Sequence, residues 1–304
     1  MKDVTISTYQ FFKKFPTEDI AREYLELKRW NDNIECPHCN SKRIQKRKIK
    51  GYFRCLECKK DFTVRTKTIM ERSHISLDKW LFAMYLLVTA RKGISSLQLS
   101  KEIGITQKSA WFMLHRLREA CTNNNNLLNG IVEIDETYIG GKEGNKHNSK
   151  KLKVGRGVAG KTPIFGIKER NGNVRGIVIN DTTSKTIHNE IYKNVENGSI
   201  LCTDDFKSYN GINNYKHLKV NHSAKEFVNG MAHTNSIESV WAVLKRGYYG
   251  IYHNFSIKHL QKYVNEFTFR LNEGKCNIAS MDRIDSFIGR TNNKRLTYKD
   301  LVGI

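Results

Sequence analysis

The sequence predicts an α/β protein whose largest part is a mixed β-sheet flanked by helices, preceded by a small cysteine-containing module and a helical segment. Three observations lead to this prediction. The region after residue 127 alternates apolar strand-like runs with amphipathic helical runs. Four cysteines near the N-terminus form two C-x2-C pairs. The stretch from Ser76 to Ala120 has helical periodicity.

The composition indicates a polyanionic partner. The 304 residues include 52 Lys and Arg against 30 Asp and Glu, which gives a formal net charge of +22. Nucleic acid is the first choice because contacts between phosphates and basic side chains supply most non-specific affinity. A generally basic composition without functional meaning is the alternative. The longest apolar run, Trp80 to Ala90, is too short to span a bilayer, and the N-terminus lacks the apolar core of a signal peptide. We therefore expect a cytoplasmic, nucleoid-associated protein without a membrane partner.

The cysteine pairs predict a structural metal site. Cys36 and Cys39 form one pair, Cys55 and Cys58 form the other, and fifteen residues separate them. This spacing is typical of a four-cysteine zinc ribbon that holds one Zn2+. The basic segment between the pairs has too little apolar content to fold without metal. A redox pair or chance spacing is the alternative. The other cysteines are expected to be buried apolar residues: Cys121, Cys202 and Cys276.

The helical segment predicts a helix-turn-helix. The segment LDKWLFAMYLLVTARKG is typical of one amphipathic helix that ends at Gly93. The residues after it predict a short helix, a turn at Gly104 and a longer helix from about Thr106. An ordinary helical hairpin is the alternative. The second helix is expected to present four polar side chains to a DNA groove or to phosphates: Gln107, Lys108, His115 and Arg116. A polar linker at residues 123–126 predicts a domain boundary near residue 127.

Beyond the linker, the order of elements is ribonuclease-H-like. GIVEIDETYIGG reads as a strand, and KTPIFGIKERNGNVRGIVIND reads as two strands joined by an Asn-Gly-Asn turn. SKTIHNEIYKNVENG is helical, and ILCTDDFKSY is a further strand. HTNSIESVWAVLKRGYYG is a late helix whose start Asn235 or Ser236 can cap. Three strands, a helix, a strand and a late helix therefore predict a mixed-sheet catalytic domain.

Three acids in this domain predict a metal-dependent nuclease site. Asp135 and Asp204 end strand-like apolar runs, and Glu238 lies in the late helix. Carboxylates supply the charge and bridging geometry that a pair of divalent cations needs. Glu136 and Asp205 neighbour these acids, and strand alternation predicts that they point away from the metals. Two nearby histidines are expected to be structural: His222 and His233.

The motifs CPHC, CLEC, DETYIGG, TDDFKSY and HTNSIESVWAVLKRGYYGIYH together resemble the insertion-sequence transposases with a zinc ribbon, bacterial relatives of eukaryotic Merlin elements. The resemblance runs from FPTEDIAREYLELKRW to about Asn272. It implies that Asp135, Asp204 and Glu238 are the DDE triad, with Lys245 as the basic residue that follows it. Some members carry Asn as the third residue, so Asn235 is a rival to Glu238.

The resemblance also implies an activity. Such an enzyme binds the ends of an insertion sequence and catalyses DNA cleavage and strand transfer with two Mg2+ or Mn2+ ions held by the triad. Its partners are double-stranded DNA, as terminal repeats and as target, and further copies of itself in a homodimer or higher oligomer. Lys245 and Arg246 are expected to contact DNA. A DNA-binding regulator with an inactive nuclease-like domain, or a nuclease without strand transfer, is the alternative.

The predicted organisation has four parts. Residues 1–72 hold an N-terminal helical segment and the zinc ribbon, and residues 73–126 hold the helix-turn-helix and linker. Residues 127–275 form the ribonuclease-H-like transposase domain, and residues 276–304 form a C-terminal tail.

Overall fold

The computed structural model describes residues 5–122, 126–141, 143–152, 158, 160–220, 233–274 and 278–303. Most of the predicted linker, His222 and Cys276 lie outside these residues. The chain forms two compact units, Met1–Thr122 with Glu273–Ile304 and Asn123–Asn272. Over the described ranges, every helix is too short or too polar to cross a membrane.

The described helices and strands have the following bounds, each group in chain order. The helices are α1 (Thr8–Lys14), α2 (Glu18–Trp30), α3 (Leu77–Thr89), α4 (Ser96–Ile103), α5 (Gln107–Ala120), α6 (Ser184–Asn194), α7 (Asn235–Gly247), α8 (Leu260–Glu273), α9 (Ser280–Gly289) and α10 (Tyr298–Val302). The strands are β1 (Ile44–Lys46), β2 (Phe53–Cys55), β3 (Asp61–Phe62), β4 (Ile131–Ile139), β5 (Thr162–Glu169), β6 (Val174–Val178), β7 (Ile200–Thr203) and β8 (Lys216–Lys219).

The first unit combines a small antiparallel sheet with helices. Strands β1, β2 and β3 form the sheet of the cysteine module, and Trp30 at the end of α2 packs edge-on against Phe53 and Phe62. Helices α4 and α5 are joined through Gly104, which adopts the left-handed conformation at φ 61° that glycine tolerates best. The two predicted helices and their turn therefore exist, whereas DNA contact by them stays a prediction.

The C-terminal segment also belongs to the first unit. The sequence predicts a tail from residue 276, but the segment contains α9 and α10, and α9 packs against α2 and α3. The reason is an apolar face at helical spacing, since Ile284, Phe287 and Ile288 are buried. Asp285 on the same helix accepts a hydrogen bond from the hydroxyl of Tyr24 in α2.

The second unit is built on a five-stranded mixed sheet in the order β6-β5-β4-β7-β8. The pairs β6-β5 and β5-β4 are antiparallel, and the pairs β4-β7 and β7-β8 are parallel. Helix α6 packs on one face through Ile187 and Ile191, and α7 and α8 cover the other face. The mixed sheet and the late helix agree with the sequence-based expectation. The strand expected over ILCTDDFKSY is shorter, because β7 ends at Thr203, and β8 was not expected.

Two glycines let the helices approach the second face closely. Gly166 of β5 and Gly176 of β6 are register partners. A Cβ atom on Gly166 would lie 2.2 Å from a ring carbon of Trp241 in α7, and one on Gly176 would lie 2.5 Å from a methyl carbon of Val264 in α8. Real Cβ atoms essentially never come so close to another heavy atom. The absence of side chains at this pair therefore sets how near α7 and α8 lie to the sheet.

Candidate metal and active sites

The four predicted zinc ligands lie together. The Sγ atoms of Cys36 and Cys58 are 3.6 Å apart, as are those of Cys39 and Cys55, and all four sulfurs lie within 4.8 Å of one another. Four thiolates at about 2.3 Å from a tetrahedral zinc are about 3.8 Å apart, so the donor set fits one Zn2+. The backbone N–H of His38 donates to Cys36 Sγ at 3.4 Å. His38 thus supports a thiolate through its backbone N–H.

Two of the three predicted acids are brought near each other by the neighbouring strands β4 and β7. Parallel strands β4 and β7 pair in the register Ile131↔Ile200, and successive pairs keep the same offset. That offset is the one between Asp135 and Asp204, and Asp204 directly follows the last residue of β7. The last pair of this register is Glu133 with Cys202, so Asp204 lies just beyond the paired part of β7. The negative charge of Asp204 raises the pKa of Asp135, so the two carboxylates are close to each other. Asp135 lies inside β4, which continues to Ile139, so the expectation that this acid ends its strand is wrong.

The third acid is brought to this point by α7. On its other side Asp135 pairs with Gly166 of β5, and Trp241 and Ile237 of α7 lie over that glycine. Glu238 directly follows Ile237 in the first turn of α7, where it is exposed. The hydroxyl of Thr234 donates to Glu238 Oε1 at 3.0 Å.

The start of α7 differs from the prediction. The N-cap residue is Thr234, and its side chain makes no capping hydrogen bond, so neither Asn235 nor Ser236 is the cap. The acceptor comes instead from β4, because Glu133 Oε2 accepts from the backbone N–H of Ser236 at 2.8 Å and of Ile237 at 3.2 Å. Asn235 is an exposed first residue of the helix.

The electrostatics of Asp135 reflect this convergence. Burial, together with the negative charges of Asp204 and Glu238, raises its pKa to about 7. The carboxylates therefore lie near enough to repel one another, which bound cations would offset. Within the described ranges the three acids are not gathered as tightly as the four thiols.

The neighbouring polar residues take separate places. Glu136 accepts a hydrogen bond from the hydroxyl of Tyr209, which packs on the α6 face of the sheet, so alternation does turn Glu136 away from Asp135. Burial raises the pKa of Glu136 to about 7. Asp205 is exposed. His233 Nδ1 lies 3.2 Å from Glu133 Oε1, which fits the structural role expected of this histidine.

The predicted DNA contacts divide into exposed and buried residues. Gln107 and Lys108 are exposed in the first turn of α5. Arg116 is only 8% exposed, its Nε donates to the carbonyl of Leu296 at 3.2 Å, and its guanidinium lies over the ring of Phe112. The expectation that Arg116 faces DNA is therefore corrected, and the same holds for His115, which is fully buried. Two basic residues of α7 are exposed, as expected of a surface contact: Lys245 and Arg246.

No role was predicted from the sequence for two residues that lie beside the acids. Glu133 holds the start of α7, and Gly166 admits that helix. Glu133 did leave a signal, since an acid inside the apolar run GIVEIDET, two positions before Asp135, shares its strand face and needs a partner when buried. Gly166 left none, because its role depends on a helix seventy residues away in sequence.

The chain matches two family models and one curated relative. An ISXO2-like transposase domain matches residues 127–272, and a transposase zinc-ribbon domain matches residues 16–61. A Halobacterium salinarum protein, named as an uncharacterized protein in transposable element ISH50, is 27% identical over 273 residues, which cover 85% of this chain and 92% of the relative.

A solved structure also shares some likeness. It is the cryoEM structure of the simian T-cell lymphotropic virus intasome in complex with PP2A regulatory subunit B56 gamma. The identity is 14% and the TM-score is 0.29, and the match covers 61% of this chain and 65% of that one, just under two thirds. A likeness at this score supports no statement about the fold.

Proposed function

We propose, from the premise that the chain belongs to the ISXO2-like transposases and carries a transposase zinc ribbon, that it binds the ends of an insertion sequence and catalyses metal-dependent DNA cleavage and strand transfer. One observation carries the catalytic part. Asp135 lies in β4, Asp204 directly follows the neighbouring strand β7, and Glu238 lies in the first turn of α7, so that the charges of Asp204 and Glu238 both act on Asp135. These three acids are the proposed DDE triad.

The donor set fits divalent cations. Carboxylate oxygens are the ligands that Mg2+ and Mn2+ prefer, and the mutual repulsion at Asp135 is the kind that cations relieve. When bound, two Mg2+ ions would activate a water or a 3′ hydroxyl and stabilise the leaving oxygen of a phosphodiester. The four thiolates of the cysteine module would hold one structural Zn2+.

Other residues of the chain have binding roles in this proposal. Lys245 follows Glu238 by seven residues, which is about 10.5 Å along a helix and almost two turns. Both side chains are exposed, so Lys245 is suited to hold a DNA phosphate beside the acids. Arg246, Gln107 and Lys108 add exposed contacts to double-stranded DNA.

The architecture supports the same proposal. Three antiparallel strands followed by two parallel ones, with a helix crossing between β6 and β7, is the order of a ribonuclease-H-like domain. Helices α4 and α5 with their turn at Gly104 would act as a helix-turn-helix. Bringing two element ends together requires a homodimer or a higher oligomer.

The test uses the purified full chain, a duplex that carries the element end, and Mg2+ or Mn2+, and it scores both nicking and joining to a second DNA. Asp204→Asn should lower both activities at least about 100-fold while DNA binding persists, because even outer-shell partners of a metal typically cost 10- to 100-fold. Asp205→Asn is the matched control, since this exposed neighbour should be dispensable.

Each outcome separates the alternatives. Nicking without joining would identify a nuclease that lacks strand transfer. DNA binding without metal-dependent cleavage of any kind would identify a regulator with an inactive domain. Equal activity of the Asp204→Asn and Asp205→Asn variants would refute the site.

A further inference from the structure

A buried carboxylate outside the triad is fully engaged at the start of α7. Glu133 has no exposed side-chain surface. Its Oε2 accepts from the backbone N–H of Ser236 and of Ile237 at 2.8 and 3.2 Å. Its Oε1 accepts from the hydroxyl of Ser236 at 3.0 Å and from Arg170 Nε at 3.1 Å. Burying a carboxylate is costly unless its oxygens accept hydrogen bonds, so this network favours one arrangement of β4 and the start of α7.

The carboxylate matches what the helix end requires. The first N–H groups of a helix have no acceptor within the helix, and they lie at the positive end of the helix dipole. The side chain of Thr234, the N-cap residue, makes no capping hydrogen bond. Glu133 supplies both the missing acceptor and a negative charge, and Arg170 also donates to the carbonyl of His233, just before the helix, at 3.4 Å.

We propose that Glu133 is a positioning residue that fixes Glu238 over Asp135. This inference rests on the proposed function and deepens it. Glu133 and Asp135 are two positions apart in β4 and therefore lie on the same face of the strand. One strand thus presents one acid of the proposed triad and holds the helix that carries another. The two N–H groups that Glu133 binds belong to the residues directly before Glu238.

The link continues from the helix start to the Glu238 side chain. The N–H of Glu238 donates to the carbonyl of Thr234 at 3.1 Å, and the hydroxyl of Thr234 donates to Glu238 Oε1 at 3.0 Å. A displacement of the first turn therefore moves the carboxylate of Glu238. Catalytic groups misplaced by about 1 Å commonly lose about 100-fold in rate, which makes this contact consequential for the reaction.

The test compares Glu133→Gln with Glu169→Gln in the full chain. Glu169 is a matched control because its carboxylate also accepts from two backbone N–H groups of the same unit, those of Asn129 and Asn173, away from α7. Three quantities are measured: amide hydrogen exchange of the peptide covering residues 233–241, DNA affinity, and the single-turnover rate of Mg2+-dependent cleavage.

In Glu133→Gln we expect faster exchange at Ser236 and Ile237, DNA affinity within about twofold of the control, and a cleavage rate lower by about 100-fold. Cleavage at the rate of the Glu169→Gln variant, with or without altered exchange, would overturn the inference. If Glu133→Gln does not fold, Ser236→Ala removes only the hydroxyl contact. Its single-turnover rate should then fall several-fold, and an unchanged rate would overturn the inference.

Failure of the proposed function looks different. In that case the unmodified chain shows no Mg2+-dependent cleavage, whereas hydrogen exchange at the start of α7 still reports whether Glu133 holds the helix.

Discussion

At the scale of single residues, β4 shows how environment assigns different roles to similar acids. Glu133 is buried against Arg170 and backbone N–H groups, so its charge is satisfied inside the protein. Asp135 shares the same face but meets two further acids, and burial together with their charges raises its pKa to about 7. Glu136 points to the opposite face and is held by Tyr209. Of these three acids of β4, Asp135 is the one that the proposed function uses as a cation ligand.

The choice of third ligand gives a prediction at this scale. Glu238→Gln should lower metal-dependent cleavage at least about 100-fold, because the amide keeps the shape but loses the charge that holds a cation. Asn235→Ala should have a smaller effect, since Asn235 is an exposed first residue of α7 whose side chain does not cap the helix. Cleavage assays on both variants, with DNA binding as the control, decide between them. Full activity of Glu238→Gln with loss in Asn235→Ala would transfer the role to Asn235.

At the scale of elements, the sequence predicts what local periodicity determines. The alternation in β4 and the helical spacing of Ile237, Val240, Trp241 and Leu244 identify the strand and α7 near their observed bounds. The cap of α7 was not predictable in the same way, because its acceptor lies about a hundred residues earlier on another element. The burial of Arg116 likewise depends on a carbonyl 180 residues away. Local periodicity does not identify the partner in a contact of this range.

The approach of α7 to the sheet gives a second prediction. Gly166→Ala should destabilise the protein by about 1–3 kcal/mol, because the new Cβ would lie 2.2 Å from the ring of Trp241 and the helix must shift. The same shift should slow cleavage more than it weakens DNA binding. Urea unfolding and cleavage assays measure the two effects. Gly250→Ala is the control, since a Cβ there meets no heavy atom within 4 Å. Equal stability of the two variants would contradict the argument.

The cysteine module gives a third prediction. Metal analysis should find about one zinc per chain, because four thiolates close one tetrahedral site. Cys36→Ser combined with Cys55→Ser should abolish zinc binding, since each substitution removes one ligand from each pair. Cys202→Ala is the control, because Cys202 is buried in the other unit and lies outside the thiol cluster. Retention of zinc by the double variant would refute the assignment.

At the scale of the whole molecule, charge and architecture point to the same partner. A net charge of +22 favours the binding of polyanions in general, so affinity alone does not locate the binding face. In the second unit, however, α7 and α6 lie on opposite faces of the sheet, and Glu238 of the proposed triad is a residue of α7. If the proposed triad acts on DNA, we expect the DNA to contact the basic residues of α7 and not those of α6.

The salt dependence of DNA binding tests whether DNA contacts α7 and not α6. The logarithm of the affinity for the element end should fall linearly with the logarithm of salt concentration, and each phosphate contact contributes about 0.9 to the slope. Lys245→Gln should lower the slope by about 0.9, because Lys245 lies on the α7 face. Lys193→Gln removes the same charge from an exposed position on α6 and should leave the slope unchanged. DNA-binding titrations at several salt concentrations measure the slope for both variants. An equal loss of slope in the two variants would mean that net charge alone attracts DNA and that DNA is not held along α7.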